Sequence, residues 1–271
     1  MKIGELVIPV APLILVASVA ISLMVGRLIS RHAVDSEAPI VNIVLAALVV
    51  SRISFVARYL PAYREDWLSI FDFRDLGFDP MAGIVAGAAM LLFVFARRPR
   101  LRRALMFAAA AGVSSWLALT AAVGASTQVQ TMPAVRLVDI DGNSRTLGGA
   151  NGKPVVVNLW ASWCAPCRSE MPMLTRAQHE LRNIELDFVN QGESPEAVRD
   201  FLSAQKLAPD NVILDRTLAV AQSVHARGFP TTLFFDEHGR LLAVHLGPFS
   251  RATFQHEIES LYPSRAAVVR H

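Results

Sequence analysis

Apolar positions fall along this chain in two regimes. Through residues 6–125 they form long uncharged runs without alternation, and beyond about residue 130 they come in short bursts separated by turn residues and helical stretches. A bilayer core takes about 20 mostly apolar residues per helix. Four runs meet that length: Leu6–Leu28, Ala38–Ala57, Phe78–Ala96 and Ala104–Ala125. The first is long for the apolar region of a signal peptide and has only Lys2 before it, which predicts an uncleaved span.

The second regime predicts strands and helices in turn. Val135–Asp139 and the Asp141-Gly142-Asn143 turn suggest a hairpin. Further strands are expected at Pro154–Trp160, Leu186–Asn190, Val212–Leu214, Thr231–Asp236 and Leu241–Leu246, the last two joined by Glu237-His238-Gly239-Arg240. Helices are expected from Ala165 and at Pro195–Gln205, Leu218–His225 and Arg251–Leu261. A polar linker of Ser126, Thr127, Gln128 and Thr131 separates the regimes. The expected architecture is therefore an α-helical membrane domain of four transmembrane helices (1–127), then an α/β domain (128–271) with a central mixed sheet and flanking helices.

Composition agrees with this division. Of 271 residues 53% are hydrophobic and 18% charged, more apolar than the roughly 45–50% of soluble chains, and the excess lies in the first half. The net charge of +3 is also uneven. Residues 1–128 hold 12 of the 26 Lys/Arg and 8 of the 23 Asp/Glu, leaving the second half near neutral. Because the basic surplus flanks the spans, it reads as a topology signal and not as a nucleic-acid footprint. The loop Arg97-Arg98-Pro99-Arg100-Leu101-Arg102-Arg103 carries five arginines and no acid, which predicts that it is cytoplasmic. The Arg27/Arg31 loop is then inside as well, while the N-terminus, the 58–77 loop and everything after Ala125 lie outside.

Two features of the apolar half stand out. Arg52 falls within the second run, where an ionised residue marks either a site or a helix that runs on towards Tyr59 or Leu60 and lets the side chain snorkel. Gly83-x-x-x-Gly87 is a small-residue face suited to helix packing. From Arg52 through Tyr59, Tyr63, Trp67 and Ile70 to Gly83-x-x-x-Gly87 the chain resembles the early spans of prolipoprotein diacylglyceryl transferases. It reads Asp79-Pro80-Met81-Ala82-Gly83 where those enzymes carry His-Gly-Gly, and their later Arg/Asn/Glu signature is missing. The resemblance implies an anchor or docking surface.

Candidate chemistry is concentrated in the second half. The chain has two cysteines, Cys164 and Cys167, just past the apolar strand Val155–Trp160. With no further cysteine the pair cannot belong to a disulfide scaffold. A strand–Cys-x-x-Cys–helix layout puts Cys164 at a helix N-terminus, where free N–H groups and the dipole favour a thiolate. Cys164 is then the attacking thiol and Cys167, one turn on, the resolving one. Zinc is the alternative for any Cys-x-x-Cys, but it needs two more ligands, and His179, His225, His238 and His245 have no paired spacing.

The run from Val155 through Trp160-Ala161-Ser162-Trp163-Cys164-Ala165-Pro166-Cys167-Arg168-Ser169-Glu170-Met171-Pro172, with Gly228-Phe229-Pro230-Thr231-Thr232 later, resembles the signature of membrane-anchored extracytoplasmic thioredoxins of the TlpA/ResA class. The likeness covers about residues 130–262. It implies a thioredoxin-like fold with Cys164 as nucleophile, Cys167 as resolving cysteine, and Glu170 as an acid handling protons near the thiols. Pro230 corresponds to the family's cis-proline beside the dithiol, and Phe229 to the residue offering its backbone to an extended substrate. Trp160 and Trp163 are expected to pack around the site, with substrate recognition a second role for Trp163. Asn158 stands where cytoplasmic thioredoxins carry a buried aspartate, and Pro172 is expected to kink the active-site helix.

The resulting expectation is a thiol:disulfide oxidoreductase, tethered to the bacterial inner membrane with its thioredoxin-like domain on the periplasmic side, using the redox-active Cys164–Cys167 disulfide and no cofactor. Ala-Pro between the cysteines leans towards a protein-disulfide reductase. Its partners would be protein thiol or disulfide substrates, the lipid bilayer and a membrane electron-donor protein, since residues 1–163 carry no thiol. Two rivals come from other classes: a non-catalytic thiol-binding or chaperone module, and a lipid-modifying membrane enzyme fused to a thioredoxin domain.

Overall fold

The computed structural model describes residues 10–30, 37–64, 67–72, 75–125, 131–147, 152–181 and 183–263. The chain divides into two compact units, residues 1–65 with 76–128 and residues 66–75 with 129–271.

The first unit is helical: α1 (Val10–Ser30), α2 (Glu37–Arg58), the single turn α3 (Leu60–Tyr63), α4 (Pro80–Arg97) and α5 (Arg102–Ala125). α1, α2, α4 and α5 are each long and apolar enough to cross a membrane. They fall on the four expected runs, although Leu6–Pro9 of the first run lie outside the described residues, as do Ser126–Gln128 of the linker.

Close backbone approach at small residues pairs α1 with α5 and α2 with α4. A Cβ added at Gly83 would stand 3.2 Å from the Ser51 Cβ, and one at Gly87 would stand 3.4 Å from the Ala47 Cβ. The Gly83/Gly87 stripe is thus the surface on which α2 rests. Gly112 of α5 meets Ser22 of α1 in the same way, and the Ser22 hydroxyl donates to the Ala108 carbonyl at 2.9 Å.

Arg52 does not snorkel outward. α2 stops at Arg58, and Arg52 is only 6% exposed, its Nη1 donating to the Gly77 carbonyl at 2.7 Å. Its guanidinium lies 5.9 Å and 5.8 Å from the ring centroids of Tyr63 and Phe78. The inward turn gives a buried charge a partner, which burial otherwise makes costly. Nearby, Asp79 caps α4 by accepting from the amides of Met81 and Ala82, and Pro80 takes the first helical position. The stretch Asp79–Gly83 is therefore occupied in starting and packing a helix.

The second unit is a seven-stranded sheet in the order β2-β1-β5-β4-β3-β6-β7. Its strands are β1 (Leu137–Asp139), β2 (Ser144–Arg145), β3 (Val155–Trp160), β4 (Glu185–Gln191), β5 (Val212–Asp215), β6 (Thr231–Phe235) and β7 (Leu241–Leu246). β3, β4 and β5 run parallel, while β6 pairs antiparallel with both β3 and β7. Helices α6 (Ala165–Glu180), α7 (Pro195–Ala204), α8 (Ala219–Ser223) and α9 (Arg251–Leu261) complete the unit.

β3 is buried along its whole length, so its residues read as an apolar run broken only by Asn158 and serve both faces of the sheet. Val156 and Trp160 join Met171, Leu174, Val198, Phe234 and Phe254 in one core, under α6, α7 and α9. Val155, Val157 and Leu159 join Val189, Ile213, Leu233 and Val220 in the other, with α8. α8 is shorter than the expected Leu218–His225, because Leu218 (φ 58°) and His225 (φ 52°) both adopt left-handed backbone and end the helix on either side.

Candidate functional site

The site forms where the buried strand β3 ends and its chain turns into α6. Cys164 is the N-cap of α6, and its Sγ accepts the Cys167 amide at 3.3 Å. Pro166 sits in the first turn, where a missing N–H costs nothing. Cys164 and Cys167 are joined as a disulfide. Cys164 is 6% exposed and Cys167 is fully buried, so the disulfide can be approached only at Cys164. The buried face of α6 continues from Cys167 to Glu170, Met171 and Leu174, at the three- and four-residue spacing of one helical side. Pro172 lies within α6, which runs unbroken to Glu180.

Glu170 is 2% exposed, although it lies on a helix where a solvated carboxylate would be ordinary. Its Oε1 accepts the Asn158 side-chain amide at 2.9 Å and its Oε2 accepts the Phe249 backbone amide at 2.8 Å. These donors favour the ionised form, but desolvation outweighs them and pushes the Glu170 carboxyl up to about 8. Asn158 also donates to Thr232 Oγ1 at 3.1 Å, its antiparallel register partner on β6.

The Phe229–Pro230 peptide bond at the start of β6 is cis. Two hydrogen bonds hold that corner: Thr231 Oγ1 donates to the Gly228 carbonyl at 2.6 Å, and the Gly247 amide donates to the Pro230 carbonyl at 3.0 Å. Trp163 and Phe229 meet edge to face with centroids 6.2 Å apart. Trp163 flanks the site through this one ring contact. It is 68% exposed on the loop after β3, whereas Trp160 on the strand is fully buried. The fold thus gathers Trp163, Cys164, Cys167 and Glu170 from one stretch of chain and Phe229 and Pro230 from another.

Comparison with known proteins matches the Redoxin family to residues 127–261. Thiol-disulfide oxidoreductase ResA of Halalkalibacterium halodurans is 30% identical over 129 residues, covering 47% of this chain and 73% of that protein. Thiol:disulfide interchange protein HelX of Rhodobacter capsulatus is 30% identical over 136 residues, covering 49% of this chain and 76% of that protein. The chain belongs to the TlpA/ResA-like thiol-disulfide oxidoreductase family. Thioredoxin-like protein YneN of Bacillus subtilis is 28% identical over 134 residues, covering 48% of this chain and 78% of that protein. All three matches, like the Redoxin one, account for about half of this chain.

Within this TlpA/ResA-like unit, sequence alone did not single out Glu193. Its carboxylate accepts the Ser162 amide at 2.7 Å, the Ser162 hydroxyl, and the Asn190 side-chain amide at 2.6 Å. Gly192, at φ 82°, turns the chain beyond β4 so that Glu193 reaches the loop before Cys164. A Gly-Glu-Ser run after a strand carries no motif; only the β3–β4 pairing, which sets Trp160 beside Asn190, brings the two loops together.

The zinc alternative for this family member needs ligands near the cysteines. Among the described residues no group of three or more His, Cys, Asp or Glu side chains is placed to share a metal ion. His245 faces Thr232 on β7 and stacks on Phe249, with ring centroids 3.8 Å apart.

Proposed function

We propose that this chain is a membrane-tethered, extracytoplasmic thiol:disulfide oxidoreductase that reduces disulfides in protein substrates. The observation that carries the reading is the asymmetry of the dithiol: Cys164 at a helix N-terminus reaches the surface, and Cys167 does not.

In the reduced protein the Cys164 thiolate attacks one sulfur of a substrate disulfide. A mixed disulfide forms and one substrate thiolate leaves. The Cys167 thiolate then attacks Cys164 Sγ, releasing the second substrate thiolate and closing the Cys164–Cys167 disulfide. Two electrons pass to the substrate and the protein ends in the disulfide form described above. Glu170, one turn beyond Cys167 and poised at about 8, is placed to take the Cys167 proton as that thiol becomes nucleophilic. Trp163, Phe229 and Pro230 form the rim against which an extended substrate segment lies. Trp163 and Phe229 supply apolar contact, and the backbone beside Pro230 supplies hydrogen bonds.

The electrons must be restored from outside the chain, because its only cysteines are the pair itself. In an oxidising compartment this calls for a membrane electron-donor protein. The helical unit is proposed as the anchor. Its four long apolar helices and the arginine loop at 97–103 support a topology with residues beyond Ala125 on the outer side of the bacterial inner membrane.

Insulin reduction driven by dithiothreitol tests the proposal on the full chain in detergent. The expected result is acceleration by the wild type and none by Cys164→Ala. Equal rates for the two proteins would leave a binding or chaperone module as the better reading.

A further inference from the structure

The short turn between β7 and α9 makes two contacts with the site. The Gly247 amide donates to the carbonyl of the cis residue Pro230 at 3.0 Å. Two residues later the Phe249 amide donates to Glu170 Oε2 at 2.8 Å. One turn therefore sets both the corner carrying the substrate rim and the strength of a donor on the buried acid. Gly247 adopts φ 111°, a backbone that a side chain rarely tolerates, which lets the two amides point in their different directions.

What fixes that turn is an aromatic cluster around Phe249. Its ring packs edge-on to Phe234 at 6.0 Å and to Phe254 at 5.5 Å, both in the core. The remaining face is covered by His245, stacked at 3.8 Å with only 22° between the ring planes. The proposed redox chemistry gives His245 no part, and no metal cluster includes it among the described residues. Its Nε2 is buried without a hydrogen-bond partner. A buried imidazole nitrogen left unpaired is a cost that the ring's packing must offset.

We infer that His245 is a positioning residue for the dithiol site, whose stacked ring locks Phe249 and so holds the turn amides on Glu170 and Pro230. Desolvation holds the imidazole neutral at ordinary pH, lowering its pKa to about 4 against the opposing hydrogen bond to the Pro248 carbonyl. The neutral ring therefore acts as a flat packing surface and brings no charge near Glu170. The influences on Glu170 are burial, the Phe249 amide and the Asn158 amide, and only the second depends on this turn. The inference rests on the proposed proton-handling role of Glu170.

The experiment is an infrared titration of the protonated Glu170 carbonyl band in the full chain, assigned by its loss in Glu170→Gln. Wild type is compared with two ring-less variants, His245→Val and His245→Leu, and with His245→Phe. Loss of the stack weakens a donor that favours the carboxylate, so both ring-less variants should titrate at least half a pH unit above wild type (roughly a threefold change in the proton equilibrium). His245→Phe, which keeps a ring, should titrate with wild type. Coincident titrations in all four proteins would overturn the inference. So would loss of folding in both ring-less variants, since the residue would then serve the fold alone. Separately, insulin reduction by Glu170→Gln at the wild-type rate across pH would sink the proton-handling role, whatever the infrared midpoints do.

Discussion

Asn158 donates to Glu170 across the buried space between β3 and α6, at 2.9 Å, and shares the same amide group with Thr232 of β6. A residue that cannot titrate thus faces one that does. The only carboxyl of this network is Glu170, and its proton affinity is set by the opposition of burial to two donors.

That opposition makes stability depend on pH with a definite sign. The folded-state pKa of Glu170 is raised from 4.5 to about 8, so the native protein holds this proton more tightly than the unfolded chain. Its contribution is fully present below about 4.5 and is lost as pH rises through about 8, a span worth on the order of 5 kcal/mol at the upper bound. Glu170→Gln removes the titration but offers one acceptor to two donors, at a cost of about 1–3 kcal/mol. The variant should be less stable than wild type near pH 5 and more stable near pH 9. Urea unfolding at the two pH values checks this, and a difference of constant sign would refute it.

Glu193 should matter beyond its surface appearance. Glu193→Ala removes the acceptor for the Ser162 amide, the Ser162 hydroxyl and the Asn190 amide, and Asn190 is fully buried. Leaving that amide unpaired costs about 1–3 kcal/mol, and the loop carrying Trp163 to Cys164 loses its tether. The expected outcome is a lower urea midpoint with a higher KM for insulin reduction. Glu193→Gln should lie between, because its single carbonyl can replace only part of the set. A midpoint and KM equal to wild type would show that the clamp is dispensable.

Much of this arrangement was legible in the chain. β7 and α9 run Leu241–Leu246 and Arg251–Leu261 as their patterns predict, since alternation and a Ser250 cap define them locally. Cys164, Cys167 and Glu170 share one helix and could be read together. Glu193 and the His245–Phe249 stack could not, because Glu193 is 31 residues from Ser162 and Phe249 is 79 from Glu170. Such contacts come from strand pairing, which local periodicity does not encode. The left-handed backbone at Leu218, a residue with no such preference, was equally invisible.

In the helical unit, the fit of Arg52 beneath Gly77 predicts a severe effect from a small change. A Cβ at Gly77 would lie 2.6 Å from Arg52 Nη1 and 2.7 Å from Phe55 Cε1, closer than packed atoms tolerate. Phe55 is buried and cannot swing aside freely. Gly77→Ala should therefore push the guanidinium off the Gly77 carbonyl and destabilise the helical unit by about 1–3 kcal/mol or more. Thermal unfolding in detergent should show a lowered helical transition, whereas insulin reduction below that transition should match wild type because no thiol lies in this unit. An unchanged transition would mean that the loop relaxes without cost.

The arginine loop makes the tethering proposal testable in cells. The five arginines of residues 97–103, at the junction of α4 and α5, bias that junction towards the cytoplasm, and in the proposed topology α5 runs outward from it. A membrane-impermeant maleimide should label reduced Cys164 of Cys167→Ala in intact spheroplasts. On a background of Cys164→Ser with Cys167→Ser, the same reagent should label Arg100→Cys only after permeabilisation, since four arginines remain to hold the loop inside. Labelling of Arg100→Cys in intact spheroplasts, with Cys164 protected, would invert the orientation. It would also place the dithiol in a reducing compartment, where no membrane electron donor is required.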